Sequence, residues 1–326
     1  MLQYRSHGKF LLTGEYLVLK GALALAVPLK LGQSLEVEPL DSDDNRLSWE
    51  AWQPEGRWFV ADFERSCLDR FSTDQPSFAL RLAHILNAVK KLNPKAFEGH
   101  DLKITTRLDF HREWGLGSSS TLVANLARWA DVDPYELLKL TFGGSGYDIA
   151  CATADGPIYY QIKTDVPAPA VAESVVPEQG RSIEGPPSMV EPIDFQPPFA
   201  EHLFFVYQGQ KQSSSKEVKA FLEKTKPVDL QNDIKAVSEI SRSMVHCQSL
   251  DEFGLLMQCH ERIIARCIGQ EPVQKRFPDF DGVLKSLGAW GGDFILAATE
   301  WPENQVKAYF KEQGLDVVFG YKEMVL

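Results

Sequence analysis

Cysteine is scarce in this chain and comes in an odd number: Cys67, Cys151, Cys247, Cys259 and Cys267, with no C-x-x-C spacing. That pattern gives no disulfide framework and no cysteine zinc site, and it fits reduced thiols in a cytoplasm. Long apolar runs are missing too. No stretch approaches the ~18–20 residues of a membrane-spanning helix, and the opening Met-Leu-Gln-Tyr-Arg-Ser-His lacks an apolar signal core, so neither membrane insertion nor secretion is expected. Positive charge is in deficit, with 34 Lys and Arg against 45 Asp and Glu and a formal net charge of −11. A broad footprint for nucleic acid is not expected, and an anionic ligand has to be held by local groups.

Several signatures of chemistry are absent as well. There is no G-x-x-x-x-G-K-[ST], no G-x-G-x-x-G and no H-R-D with D-F-G, which argues against P-loop, dinucleotide-binding and protein-kinase folds. His260-Glu261 begins like a zinc-protease helix, but Ile264 stands where the second His is required. Gly143-Gly144-Ser145-Gly146-Tyr147 misses the nucleophile elbow by its last glycine.

What is present is a chain of 326 residues, 44% hydrophobic, long enough for two cores. Apolar runs at Lys9–Thr13, Ala22–Leu29 and Leu35–Val37 read as strands, and Asp41–Phe63 reads as a hairpin or an excursion. Phe78–Leu92 has helical periodicity and stops at Asn93-Pro94; Leu102–Leu108 alternates like a strand. Asp133-Pro134 is an N-cap with proline at the first helical position, opening a helix through Leu140. Proline crowds 165–198, which lacks a clear period and reads as a domain boundary or a loop. Beyond it come strands at Leu203–Tyr207, Val283–Leu287 and Ile295–Ala298, long helices between Asp229 and Cys267, and a closing helix and strand at Glu303–Gln313 and Asp316–Phe319. Strands and helices mixed in both halves give an α+β class.

Gly115-Leu116-Gly117-Ser118-Ser119-Ser120-Thr121 opens onto an Ala-rich apolar helix. Glycines let the backbone approach an anion, and a helix's first turn supplies unpaired N–H groups and the positive end of its dipole. Such a segment is also how an ordinary capped helix starts. Three further segments bear on the choice: His7–Gly21, which reads His-Gly-Lys-Phe-Leu-Leu-Thr-Gly-Glu-Tyr-Leu-Val-Leu-Lys-Gly, then Gly144-Ser145-Gly146-Tyr147-Asp148, and Gly288–Phe294. In order and spacing these four segments resemble the GHMP kinases, the superfamily of galactokinase, homoserine kinase, mevalonate kinase and phosphomevalonate kinase. The opening and the Ala24–Leu29 run are similar to the isoprenoid branch, and Gly144–Asp148, Gly291-Gly292-Asp293 and Lys211-Gln212-Ser213-Ser214 to phosphomevalonate kinases.

The resemblance implies a two-domain GHMP kinase fold, with an N-terminal mixed α/β ATP-binding domain over 1–185 and a C-terminal ferredoxin-like α+β domain over 186–326. It implies ATP and Mg²⁺ as cofactors and direct in-line transfer of the γ-phosphate to a small-molecule acceptor, mevalonate or phosphomevalonate, in a cytoplasmic protein, with a homodimer as an open expectation. Asp148 would take the acceptor hydroxyl's proton and Lys9 would stand beside it. The backbone of Gly115, Leu116, Gly117, Ser118, Ser119 and Ser120 would hold the ATP phosphates, with Ser119 and Glu136 toward Mg²⁺, although Glu136 is one residue out of the family's register. Glu15, Lys211, Ser213, Gly288, Gly291 and Gly292 would face the acceptor. Alternatives within the superfamily are a homoserine- or sugar-type kinase and mevalonate diphosphate decarboxylase; outside catalysis, a nucleotide- or metabolite-binding member. The chain departs from the family pattern at Arg112-Glu113-Trp114, which crowds the loop entrance, and at Trp290, where glycine is usual.

Overall fold

A computed structural model describes residues 1–163, 188–209, 218, 221–223, 230–288, 290 and 292–326. Two sheets organise it. The first holds β1 (Leu2–Leu11), β2 (Ala24–Pro39), β3 (Arg46–Gln53), β4 (Gly56–Glu64), β5 (Cys67–Thr73), β6 (Leu102–Leu108), β7 (Ile158–Ile162) and β8 (Ser188–Pro192). Its order is β5-β4-β3-β6-β2-β7-β8, with β1 paired to β2. β3 and β6 run parallel, joined through β4, β5 and helix α1 (Pro76–Leu92); the other pairs are antiparallel.

α1 forms because its apolar residues recur at helical spacing, Ala79, Leu82, Ala83, Leu86 and Val89 all being buried, with Pro76 at its start. With α2 (Ser118–Ala130) and α3 (Pro134–Thr141) it covers one face of the sheet, where Trp49, Ile104, Val123 and Leu126 form a core. α4 (Tyr147–Ala152) packs against β1, β2 and β7.

The second sheet has the order β10-β11-β9-β12, from β9 (Leu203–Tyr207), β10 (Val283–Leu287), β11 (Phe294–Ala298) and β12 (Val318–Gly320). Helices α5 (Gln231–His246) and α6 (Leu250–Ile268) link β9 to β10, α7 (Glu303–Glu312) links β11 to β12, and α8 (Tyr321–Met324) closes the chain. This antiparallel sheet with helical crossovers is the ferredoxin-like arrangement expected of the C-terminal half. A large core lies between the two sheets, with Phe10 stacked on Phe205 (centroids 4.4 Å apart) and edge-on to Phe294.

The expected boundary at 185/186 falls outside the described residues. β8 pairs with β7 along Ser188–Pro192, so the first sheet extends past it and the change to the second sheet lies between Pro192 and Leu203. Among the described residues, no helix is long and apolar enough to cross a membrane.

Candidate active site

Lys9 is the point on which three glycine-bearing loops converge. β1 shifts register against β2 between His7 and Lys9, a bulge that re-aims the following side chain. The Lys9 N–H donates to Leu116 O at 3.0 Å, and the lysine stem lies along Gly117, where a Cβ would stand 3.3 Å from Lys9 Cγ. Gly115 and Gly117 both have left-handed backbone (φ 72° and 95°), and α2 starts directly after them without a side-chain cap. Its first-turn N–H groups are therefore available to an anion. The serines divide by exposure. Ser120 is buried and donates to Gly117 O at 2.8 Å, Ser118 is half-buried, and Ser119 is exposed. Thr121 donates to the buried Gln33 Oε1 at 2.8 Å.

The second loop presents Tyr147 and Asp148 at the start of α4, whose N-cap is Gly146 in the left-handed region. Asp148 is thus inside the first turn, and it is not the cap. The Lys9 ammonium lies 5.4 Å from the centre of the Tyr147 ring. Burial pulls the Lys9 ammonium down, but Tyr147, Asp148 and Asp293 outweigh it and hold the group above the ordinary lysine value. Burial likewise pushes the Asp148 carboxyl up, while Lys9 draws it the other way. A carboxylate above its ordinary range, beside a cation that stays charged, is a better base than a solvated Asp.

The third loop brings Asp293, which sequence reading left without a role. A Cβ on Gly115 would lie 2.7 Å from the Asp293 carboxylate, and one on Gly288 would lie 2.6 Å from it. Asp293 therefore sits between Gly115 and Gly288, the third loop's first glycine. The crowded entrance finds its reason nearby. Trp114 packs on Phe319, Tyr207 and Phe294, and Tyr207 donates to Glu113 O at 3.2 Å, so these bulky residues pin the Gly115 loop to the second sheet. Gly115→Ala is expected to destabilise the protein by ~1–2 kcal/mol from its left-handed backbone and further from the Asp293 clash, and to weaken nucleotide binding. Thermal melts with and without ATP check this; an unchanged ATP-induced shift would count against a phosphate role for the loop.

The remaining expected residues scatter. Lys211, Ser213 and Gly291 lie outside the described residues. Gly288 is half-buried and Gly292 buried. Glu136, in the first turn of α3, has a buried Oε1 without a hydrogen-bond partner. Glu15, expected toward the acceptor, is 3% exposed, ion-paired with Lys285, and its Oε2 is 3.3 Å from His260 Nε2. Trp290 is buried with Tyr16 and Phe221, and its backbone N–H approaches Tyr16 Oη at 3.5 Å.

Sequence reading also missed a buried polar cluster behind Glu15. Lys285 on β10 is 0% exposed and donates to Glu15 and to Ser286 O, while Glu261 accepts from Val273 N, Ser286 N and Ser286 Oγ, each at 3.0 Å. Gly14 N–H donates to His260 Nε2 at 2.9 Å. Burial keeps His260 well below its ordinary value and hence neutral, and pushes Glu15 up to about 7 against the pull of Lys285.

The chain has the fold of the GHMP kinases. Over 98% of its length it superposes on 96% of a Methanococcus jannaschii mevalonate kinase (TM-score 0.68, 14% identity). It also matches the whole of a Streptococcus pneumoniae phosphomevalonate kinase bound to phosphomevalonate and AMPPNP (TM-score 0.66, 17% identity, 98% of this chain and 100% of that one). An L. major mevalonate kinase in complex with R-mevalonate is similar at TM-score 0.64 and 17% identity, over 98% of this chain and 95% of that one. No family model and no curated protein matches the sequence.

Proposed function

We propose that the chain is an ATP- and Mg²⁺-dependent small-molecule kinase that transfers the γ-phosphate to mevalonate or phosphomevalonate. The observation that carries this reading is the meeting of Lys9, Asp148 and the glycine loop at the mouth of α2. Solved structures of the same fold hold R-mevalonate in one case and phosphomevalonate with AMPPNP in another, which supports the choice of acceptor and nucleotide.

In this reading the first-turn N–H groups of α2 and the left-handed glycines cradle the phosphates. Lys9 lies between that cradle and Asp148, where its charge offsets negative charge on the transferring group. Asp148 accepts the acceptor hydroxyl's proton as the oxygen attacks phosphorus in line, and ADP leaves. Phosphoryl transfer asks mainly for alignment and charge neutralisation, which these groups provide without a covalent intermediate. The oxygen donors present, the exposed Ser119 hydroxyl and the unpartnered Glu136 Oε1, suit Mg²⁺. Mg²⁺ bound there with the ATP phosphates would supply charge neutralisation at the β- and γ-oxygens. All five cysteines are free, in keeping with a cytoplasmic enzyme.

The test is a thermal-shift titration with ATP and Mg²⁺, followed by each acceptor with a non-hydrolysable nucleotide. Stabilisation by nucleotide that grows with mevalonate or phosphomevalonate is expected. No shift with any nucleotide would overturn the reading. Ser119→Ala is expected to raise the Mg²⁺ concentration needed for half-maximal turnover with little change in melting temperature; a drop in stability alone would leave the serine as part of the helix start.

A further inference from the structure

Two acceptors face each other in the buried cluster behind Glu15. The Gly14 N–H points at His260 Nε2 from 2.9 Å, so that nitrogen offers its lone pair and the neutral ring carries its hydrogen on Nδ1. Glu15 Oε2 lies 3.3 Å from the same Nε2 and has no hydrogen-bond partner among the described residues, while Oε1 takes the Lys285 ammonium. An ionised Oε2 would meet a lone pair where it needs a donor. The charges point the same way. Burial pushes Glu261 up, but Val273 N–H, Ser286 N–H and the Ser286 hydroxyl all donate to it, which favours its ionised form. Among the described residues Lys285 is the cluster's cation, so with His260 neutral the cluster is neutral only when Glu15 is protonated. All four groups are buried, where a net charge is costly.

We propose that a proton on Glu15 Oε2, given to His260 Nε2 alongside the Gly14 N–H, fastens the opening turn to α6 and β10, and that its loss as pH rises loosens this junction. β1 carries Lys9 toward the turn and β10 runs on to Gly288, so the junction sets the roots of two segments that meet the Gly115 loop. Among the described residues, the turn's other neighbours bring no further charge to Oε2. α5 meets the turn with the hydroxyls of Ser241, at Thr13, and Ser238, at Leu23. Tyr16 Oη lies 3.5 Å from the Trp290 backbone N–H, and the Asp233–Arg266 pair of α5 and α6 reaches solvent through the exposed Arg266. Burial raises Glu15 to about 7 in the folded chain, so the proton's contribution declines as pH rises from the ordinary carboxyl value through that point.

The experiment compares the parent with Glu15→Gln, whose amide offers a hydrogen to His260 Nε2 and an oxygen to Lys285 at every pH. By amide hydrogen exchange, corrected for the intrinsic rate, protection of the Gly14 N–H in the parent is expected to fall about tenfold between pH 6 and pH 8, and to stay level in Glu15→Gln. In ¹⁵N NMR of the parent at pH 6, His260 is expected to be protonated on Nδ1 and bare on Nε2. A protonated Nε2 would make Glu15 Oε2 an ionised acceptor and overturn the proposal, as would equal pH dependence of Gly14 protection in the two proteins. The ring measurement needs no variant, so it decides the matter even where Glu15→Gln folds poorly. Both readouts are taken without nucleotide or acceptor, so they stand or fall apart from the kinase reading.

Discussion

Asp148→Asn lowers turnover by about 10²–10⁴-fold, the range general-base catalysis commonly contributes, while nucleotide binding and melting temperature stay near those of the parent. The amide keeps the size of the carboxyl and can still accept from Ile149 N–H, as the carboxylate does at 3.2 Å, so the start of α4 is preserved. What it loses is the charge and basicity that the proposed proton transfer from the acceptor requires. The pH profile of the parent carries the same information. Because burial raises the Asp148 carboxyl, the acidic limb of kcat/KM lies above the ordinary aspartate value of about 3.9, and activity falls as pH drops through the raised value and the base becomes protonated. Near-normal turnover in Asp148→Asn would remove the base from the mechanism.

Lys285→Met destabilises the protein by about 3–5 kcal/mol at pH 8, where Glu15 is ionised in the parent, the cost of breaking a buried ion pair by removing one partner. Lys285 and Glu15 are 0% and 3% exposed, so water cannot replace the lost partner. The pH dependence identifies the cause. Glu15 titrates near 7 in the folded chain, above its ordinary value, because burial disfavours its charge more than Lys285 favours it. A carboxyl raised in this way adds stability that is complete below the unfolded value and declines as pH rises through the folded one. Taking Lys285 away raises Glu15 further, so the loss in Lys285→Met is smaller at pH 5, where Glu15 takes up a proton, than at pH 8. Glu15→Gln in the same background should recover most of the loss at pH 8. Urea denaturation at both pH values checks this. Equal losses at the two pH values, or no recovery by Glu15→Gln, would show that the damage comes from packing and not from an unpaired carboxylate.

The parts of the site that sequence exposes are those made by residues close along the chain. Gly115–Thr121 reads as an anion-binding turn because Gly and Ser are the types that a close backbone approach and a helix start require, and α2 begins directly after Gly117. Lys9 and Asp148 could be paired only through resemblance, since nothing local to either residue announces the other. The Glu15–Lys285 pair, 270 residues apart, was illegible. Lys285 sits in Val-Leu-Lys-Ser-Leu, where alternation would turn it outward, but β10 is covered on the side of Lys285 by α6 and by the Gly14-Glu15 turn. His260-Glu261 begins a metal motif that Ile264 breaks, and the pair's partners are Gly14 and Ser286 on other elements, which nothing local to the helix announces. β8 was hidden by the prolines around it, being an edge strand that ends at Pro192, a position where a missing N–H is tolerated.

Phosphoryl transfer to a small alcohol or phosphate is read out by ADP formation from ATP and Mg²⁺ in the presence of mevalonate, phosphomevalonate, homoserine or galactose. ADP release is expected to depend on mevalonate or phosphomevalonate, to leave homoserine and galactose unphosphorylated, and to collapse in Asp148→Asn. Tight nucleotide binding with no acceptor-dependent ADP from any of the four would contradict it.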